Sequence, residues 1–111
     1  MGVRELPPIS PQKQAGHVSS TPQYQNRIHQ GKPTSYFDDA ETAARLTQEA
    51  WQKGEPIRGR PTVREYDFGR LIGTGPNGGR QTRVRVHMDS QGRIHGHPAG
   101  PEILDRAQEA G

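Results

Sequence analysis

A chain of 111 residues with 28% hydrophobic residues builds one domain around one thin core, and no segment approaches the roughly 18 apolar residues of a membrane-spanning helix. The absence of cysteine excludes disulfides, thiolate zinc sites and a thiol nucleophile. The net charge of +3 and a pI near 9.7 fit a polyanionic partner such as nucleic acid, and seven of the 15 Lys and Arg residues fall between Arg58 and Arg85.

Residues 1–14 are Pro-rich and polar, carry no apolar leader segment, and read as a flexible linker. His17 to Phe37 has no clear period and contains Pro22, Gly31 and Pro33, so it reads as loop with at most one short helical turn. The spacing predicts the main helix over Asp38 to Gly54. Asp38 stands three residues before Glu41 as a cap, Phe37 precedes it as a staple, and Ala43, Leu46 and Ala50 share a face adjoining Ala44 and Trp51. Gly54 is expected in the left-handed conformation, with Pro56 preventing continuation.

From Val63 the pattern becomes β. Val63 to Ile72 reads as a strand with Gly69 as a bulge, and Gly73 to Gly79 (GTGPNGG) as a wide Gly-rich hairpin connection. That loop lacks the Lys-Ser/Thr of a P-loop and a following helix. Gln81 to Met88 alternates cleanly, with Val84, Val86 and Met88 on one face and Arg83, Arg85 and His87 on the other. A three-residue turn, Ser90-Gln91-Gly92, with Gly92 left-handed, pairs Met88 with Ile94, His87 with His95 and Arg85 with His97. A slip of one residue would mix the two faces. Residues 101–111 read as a polar tail, frayed or forming one weak helical turn. The fold class is therefore α+β: one amphipathic helix on a small twisted antiparallel sheet, with a loop-rich N-terminal segment and residues 15–100 as the domain.

This register gathers Arg83, Arg85, His87, His95 and His97 on one face of a ribbon. Opposed Cβ atoms there stand about 4.5–5.5 Å apart, and neighbouring cations disfavour protonation of the imidazoles. Such a face suits cleavage of RNA by its own 2′-hydroxyl, which needs an imidazole base, an acid for the leaving oxygen, and guanidinium groups on the phosphate, but no metal. A solvated hairpin face has the same composition and remains open, as does three-imidazole binding of zinc or nickel by His87, His95 and His97. No Asp or Glu is expected on this face, which counts against a metal centre and against a DNase built on one. A non-catalytic nucleic-acid module is the remaining alternative, though His and Arg stand where such modules display aromatic rings.

The order of KQAGH (Lys13 to His17), GKPTSYF (Gly31 to Phe37), an Ala-rich helix and RVHMDSQGRIHGHP (Arg85 to Pro98) resembles the C-terminal domains called polymorphic toxin type 50. That type belongs to the barnase, EndoU, colicin and RelE-like ribonuclease superfamily. The resemblance implies a barnase/RelE-like fold and metal-independent RNA cleavage without a cofactor, commonly of tRNA. It also implies the C-terminal part of a secreted or cell-surface contact-dependent growth inhibition effector, delivered into a target bacterium's cytoplasm. A cognate immunity protein, acidic at the contact, would block the site, and a host factor could activate it. By motif position the implied catalytic residues are His17, Ser35, Arg85, His87 and His95. Lys32, Thr34, Tyr36, Arg83 and His97 are the candidates for RNA or phosphate binding, and either His95 or His97 is the matching imidazole. The segment from Arg58 to Gly79 has no counterpart in the resemblance.

Overall fold

The computed structural model describes residues 6–104, so the predicted fraying of the tail beyond Leu104 lies outside the described residues. In chain order the elements are α1 (Pro11–Ala15), α2 (Pro22–His29), α3 (Ala40–Lys53), β1 (Glu55–Ile57), β2 (Arg60–Asp67), β3 (Gly73–Thr74), β4 (Arg80–Gln81), β5 (Arg83–Met88) and β6 (Ile94–Ala99). The strands form an antiparallel four-stranded sheet in the order β1-β2-β5-β6 and a separate β3-β4 hairpin. The protein is thus an α+β domain with α3 as its one main helix. No helix among the described residues is long and apolar enough to cross a membrane.

α3 buries Ala43, Leu46, Thr47, Ala50 and Trp51 against the sheet. Its stripe meets Val84, Val86 and Ile94, and Val18 and Phe37 complete the core. The cap is Asp39 rather than Asp38. An Asp39 carboxylate oxygen accepts from the Thr42 amide at 2.7 Å, and the Thr42 hydroxyl donates to the other. The helix therefore starts one residue later than the Asp38–Glu41 spacing predicts, and Phe37 is buried in the core beside Val18 rather than flanking the cap. Gly54 is extended (φ −77°, ψ 167°), not left-handed. Close approach demands glycine there, since a Cβ would stand 2.5 Å from the Ala50 carbonyl oxygen and 2.8 Å from that of Glu65.

The β5–β6 register matches the expectation: Met88 faces Ile94, His87 faces His95 and Arg85 faces His97. Gly92 turns the chain with φ 77°, and Asp89 ties the loop by accepting from the Gln91 and Arg93 amides. β2 ends at Asp67, earlier than predicted. Gly69 is a left-handed turn residue after the strand rather than a bulge within it, and Leu71 is exposed. β1, unpredicted, pairs with β2 as the opposite edge of the sheet.

Two N-terminal segments differ from the expectation. Residues 8–14 are packed rather than a free linker. Ile9 pairs with Ile94, the Ser10 amide donates to the Ile94 carbonyl, and the Ile94 amide donates to that of Pro8. This covers the open edge of β6, whose backbone groups otherwise lack partners. Gln14, on α1, donates to the Gly96 carbonyl at 2.8 Å and accepts from the Gly96 amide at 2.8 Å and the Thr47 hydroxyl at 3.2 Å. The expected loop after His17 contains the eight-residue α2. Thr21 caps it by accepting from the Tyr24 amide, and Pro22 is its first residue, where a missing N–H costs nothing.

The Gly-rich connection closes on an anion from its own chain. Glu102 accepts from the Asn77 and Gly79 amides at 3.1 and 2.8 Å and from the Asn77 side chain at 2.9 Å. Ile103 pairs with Arg80 beside it. The start of the predicted tail is therefore fastened to the β3-β4 hairpin.

Candidate functional site

Alternation along β5 and β6 sends His87, His95 and His97 to the face opposite α3. His17 reaches them from the segment after α1, where the Phe37 amide donates to its carbonyl at 2.7 Å and holds the backbone in place. The four rings form a closed quadrilateral. His17 lies 6.0 Å from His95 and 5.1 Å from His97, and His87 lies 5.2 Å from each of the same two.

Hydrogen bonds to carbonyl oxygens, which only accept, set two tautomers. His17 Nδ1–H donates to the Ser35 carbonyl at 3.0 Å, leaving its Nε2 with a lone pair. His97 Nδ1–H donates to the Pro98 carbonyl at 2.9 Å. The remaining lone pair of His97, on Nε2, accepts from His87 Nε2–H at 3.1 Å. The Ser35 hydroxyl stands 3.5 Å from His97 Nδ1, at the outer limit of a hydrogen bond.

Burial is the main force on the proton affinities. It takes His17, His87 and His95 down to about 4. Nearby cationic and imidazole groups add to that shift. His97 is also lowered, by burial first, against the opposing hydrogen bond to Pro98. All four imidazoles are thus neutral at pH 7, a set of lone pairs and N–H groups rather than fixed cations.

The surroundings depart from the sequence reading in one respect. β2 places Glu65 opposite Arg85 and Asp67 opposite Arg83, so the face does carry carboxylates. Glu65 lies between the two arginines and accepts from Arg83 Nε and from Arg85 Nε, the latter at 2.8 Å, while Arg83 also reaches Asp67 at 3.3 Å. Burial alone would raise the Glu65 carboxyl, but those bonds hold it below the usual carboxylate range. The expectation of a carboxylate-free face fails because it considered the β5–β6 ribbon without the strand beside it. Even so, among the described residues no three His, Asp or Glu side chains are arranged to hold a metal ion.

Arg27 was not foreseen. It sits in the last turn of α2, and its Nη1 lies 3.4 Å from where a Cβ on Gly16 would stand, next to His17. Among the described residues it has no ion-pair partner. The signal for it was the Thr21-Pro22 helix start. With His17, Ser35 and His97, Arg27 lines a pocket of about 320 Å³ to which Thr34 and Gln81 also contribute. Of the remaining candidates, Thr34 is buried in that wall, its hydroxyl donating to the Lys32 carbonyl at 3.0 Å. Lys32 is exposed and outside the pocket lining. Tyr36 pairs its backbone with Thr74 and sets its ring edge-on to Tyr24 at 5.2 Å, also outside the lining.

A family model described as bacterial toxin 50 matches residues 9–96. The chain belongs to the bacterial toxin 50 family. The matched span holds His17, the whole of α3 and the β5–β6 turn through His95, and it takes in residues 9–14, which pack on β6. Membership makes this a toxin domain and brings with it an immunity protein as the expected partner. Neither the curated proteins nor the solved structures gave a match.

Proposed function

We propose that this toxin domain is an endoribonuclease that cuts tRNA by transesterification, needing no metal, in the manner of the barnase, EndoU, colicin and RelE-like enzymes. The observation that carries the reading is the quadrilateral of neutral imidazoles with His17 Nε2 unprotonated. His17 Nε2 takes the proton of the 2′-hydroxyl as O2′ bonds to phosphorus. The P–O5′ bond breaks, and O5′ takes a proton from the small imidazolium fraction of His95, which becomes the neutral ring; the ring nitrogens of His95 have no protein partner among the described residues. The products are a 2′,3′-cyclic phosphate and a 5′-hydroxyl. His87 and His97 form a hydrogen-bonded pair beside the two reacting rings. Arg27, which lines the pocket and has no ion-pair partner among the described residues, holds the phosphate, with Arg85 and Arg83 as the flanking field and Ser35 as an orienting hydroxyl. Lys32, Thr34 and Tyr36 border the approach of the RNA. A cognate immunity protein, acidic where it covers Arg27 and Arg85, neutralises the domain in the producing cell, and the domain acts in the cytoplasm of a target bacterium.

The test is incubation of total bacterial RNA with the protein in EDTA, beside His17→Ala and His95→Ala. Discrete tRNA fragments ending in cyclic phosphate are expected, with each variant slower by about 10²–10⁴-fold. RNA left intact even after addition of cell extract, which would supply any host factor, sinks the reading. Equal cleavage by parent and variants removes the chemistry from the imidazole cluster.

A further inference from the structure

Lys13 opens the KQAGH motif and stands on α1, in the segment that covers the open edge of β6. Its neighbour Gln14 is bonded to both backbone groups of Gly96, so the base of the Lys13 side chain is fixed relative to His95 and His97. Lys13 Nζ donates to Asp89 Oδ2 at 3.1 Å. Asp89 follows directly on β5 and continues its ladder, its amide donating to the Arg93 carbonyl at 2.9 Å. Alternation from His87 therefore puts the Asp89 side chain on the imidazole face, diagonal to His95, where such positions stand about 7–8 Å apart.

Topology then places the ammonium. The α1 segment lies outside β6 and Asp89 belongs to the strand inside it, so the Lys13–Asp89 bond spans β6 on the imidazole face beside His95. The proton affinity of His95 agrees. Behind burial and His97, Lys13 lowers it and Asp89 raises it. The Lys13 side chain is 51% exposed, and among the described residues Asp89 is its one partner. An ammonium has three donors, so two are left for a ligand. Asp89 is tied down on its other oxygen by the Gln91 and Arg93 amides, which makes it an anchor for the lysine.

Two cations thus flank the rings on different sides. Arg27 lines the pocket that His17 and His97 share, and neither His95 nor Lys13 belongs to that lining. A polynucleotide offers evenly spaced anionic groups to such a pair, and its direction follows from the chemistry. O5′ leaves beside His95, so the departing nucleotide and the phosphate on its 3′ side extend past His95 toward Lys13.

Resting on the ribonuclease reading, we propose that Lys13 forms a second phosphate subsite, which binds the phosphate on the 3′ side of the departing nucleotide while Arg27 holds the phosphate that is cut. The ligand class is a nucleic-acid backbone presenting two successive phosphates. Lys13 has no part in the proton transfers.

Nucleotides without a 2′-hydroxyl isolate the contact from cleavage: 2′-deoxyadenosine and thymidine 3′,5′-bisphosphates against their 5′-monophosphates, titrated at millimolar concentration and followed by NMR. The parent is expected to bind each bisphosphate about 10-fold more tightly than its monophosphate, a factor within reach of a charge-assisted hydrogen bond. Lys13→Met is expected to lose most of that gain and Lys13→Arg to keep it. Lys53→Met removes the same charge from α3, on the opposite face of the sheet, and is expected to leave the ratio unchanged. A Lys13 that only braces the hairpin through Asp89 would weaken both ligands alike and leave the ratio in place, which overturns the proposal. So does an equal loss in Lys53→Met, which would reduce the effect to net charge. Equal binding of the two ligands by the parent, or no binding of any of the four, overturns it without requiring a variant to fold. The RNA assay separates the two ideas. Cleavage without the bisphosphate preference removes the subsite and keeps the ribonuclease. The Lys13-dependent preference without cleavage keeps the phosphate subsite and removes the ribonuclease.

Discussion

His17 and His97 each direct Nδ1–H to a main-chain carbonyl, so their reactive nitrogens are chosen by backbone geometry. With pKa values near 4 at His17, His87 and His95, the base form is abundant at neutral pH and the acid form scarce. The sign follows for activity. If one imidazole must be protonated and another bare, kcat/KM rises as pH falls from roughly 8 toward 5, and the optimum lies on the acid side of neutrality. A pH–rate profile on a short RNA checks this, and an optimum above pH 7.5 would contradict it. Glu65 offers a second residue-scale prediction. Its carboxylate occupies Arg83 and Arg85, so Glu65→Gln releases Arg85 to RNA and leaves Arg83 paired with Asp67 alone. Binding of non-specific RNA should tighten several-fold and its salt dependence steepen by about one phosphate contact. Binding at two or more salt concentrations decides it, and an unchanged slope would mean the arginines do not face RNA.

At the scale of elements, β6 carries two of the four imidazoles and is fixed from the other face. Gly96 lies between them in sequence and packs against α3, where a Cβ would come 2.4 Å from the Thr47 hydroxyl. Gly96→Ala is expected to cost about 1–3 kcal/mol in chemical denaturation, with Thr47→Ala restoring part of the loss. No rescue in the double variant would mean the clash is relieved elsewhere. Gln14→Ala leaves both Gly96 backbone groups without their side-chain partner and should cost about 2–4 kcal/mol. A stability change below about 0.5 kcal/mol would return residues 8–14 to the status of a linker.

The same elements show what a sequence discloses. The β5–β6 hairpin was legible because Val84, Val86 and Met88 alternate with Arg and His, and only one turn length keeps Met88 and Ile94 together. The body of α3 was legible from its apolar stripe. Its cap was misplaced because Asp38 and Asp39 both satisfy the residue preference, and only the backbone decides between them. α2 was missed because Pro22 reads as a breaker until Thr21 is recognised as its cap, and Arg27 was lost with it. Gln14, Gln81 and Glu65 owe their roles to partners distant in sequence, which no local period encodes. His17 was singled out by the resemblance. Its position against His95 and His97 depends on the Val18–Phe37 pairing, a contact between two segments without a regular pattern.

For the whole molecule, burying the imidazoles makes folding sensitive to acid. Their folded pKa values lie below the ordinary 6.5. Between about pH 6.5 and 4 the unfolded chain therefore binds protons that the folded one does not, and stability falls as pH falls through that window. His17 alone should account for about 2 kcal/mol between pH 7.5 and 5. Denaturation midpoints at those two pH values measure the effect. A midpoint unchanged at pH 5 would mean the imidazoles are charged in the folded protein.

The imidazoles come from opposite ends of the described chain, and the pocket wall at Pro76 belongs to a loop fastened by Glu102, later still. Synthesis therefore delivers His17 early and the rest of the cluster late. A nascent chain that stops before β6 has His17 and His87 on the ribosome with neither His95 nor His97 to meet them. Whatever chemistry the cluster performs is withheld from every product that stops short of β6, and the cell that makes the domain faces it only once that strand has been translated.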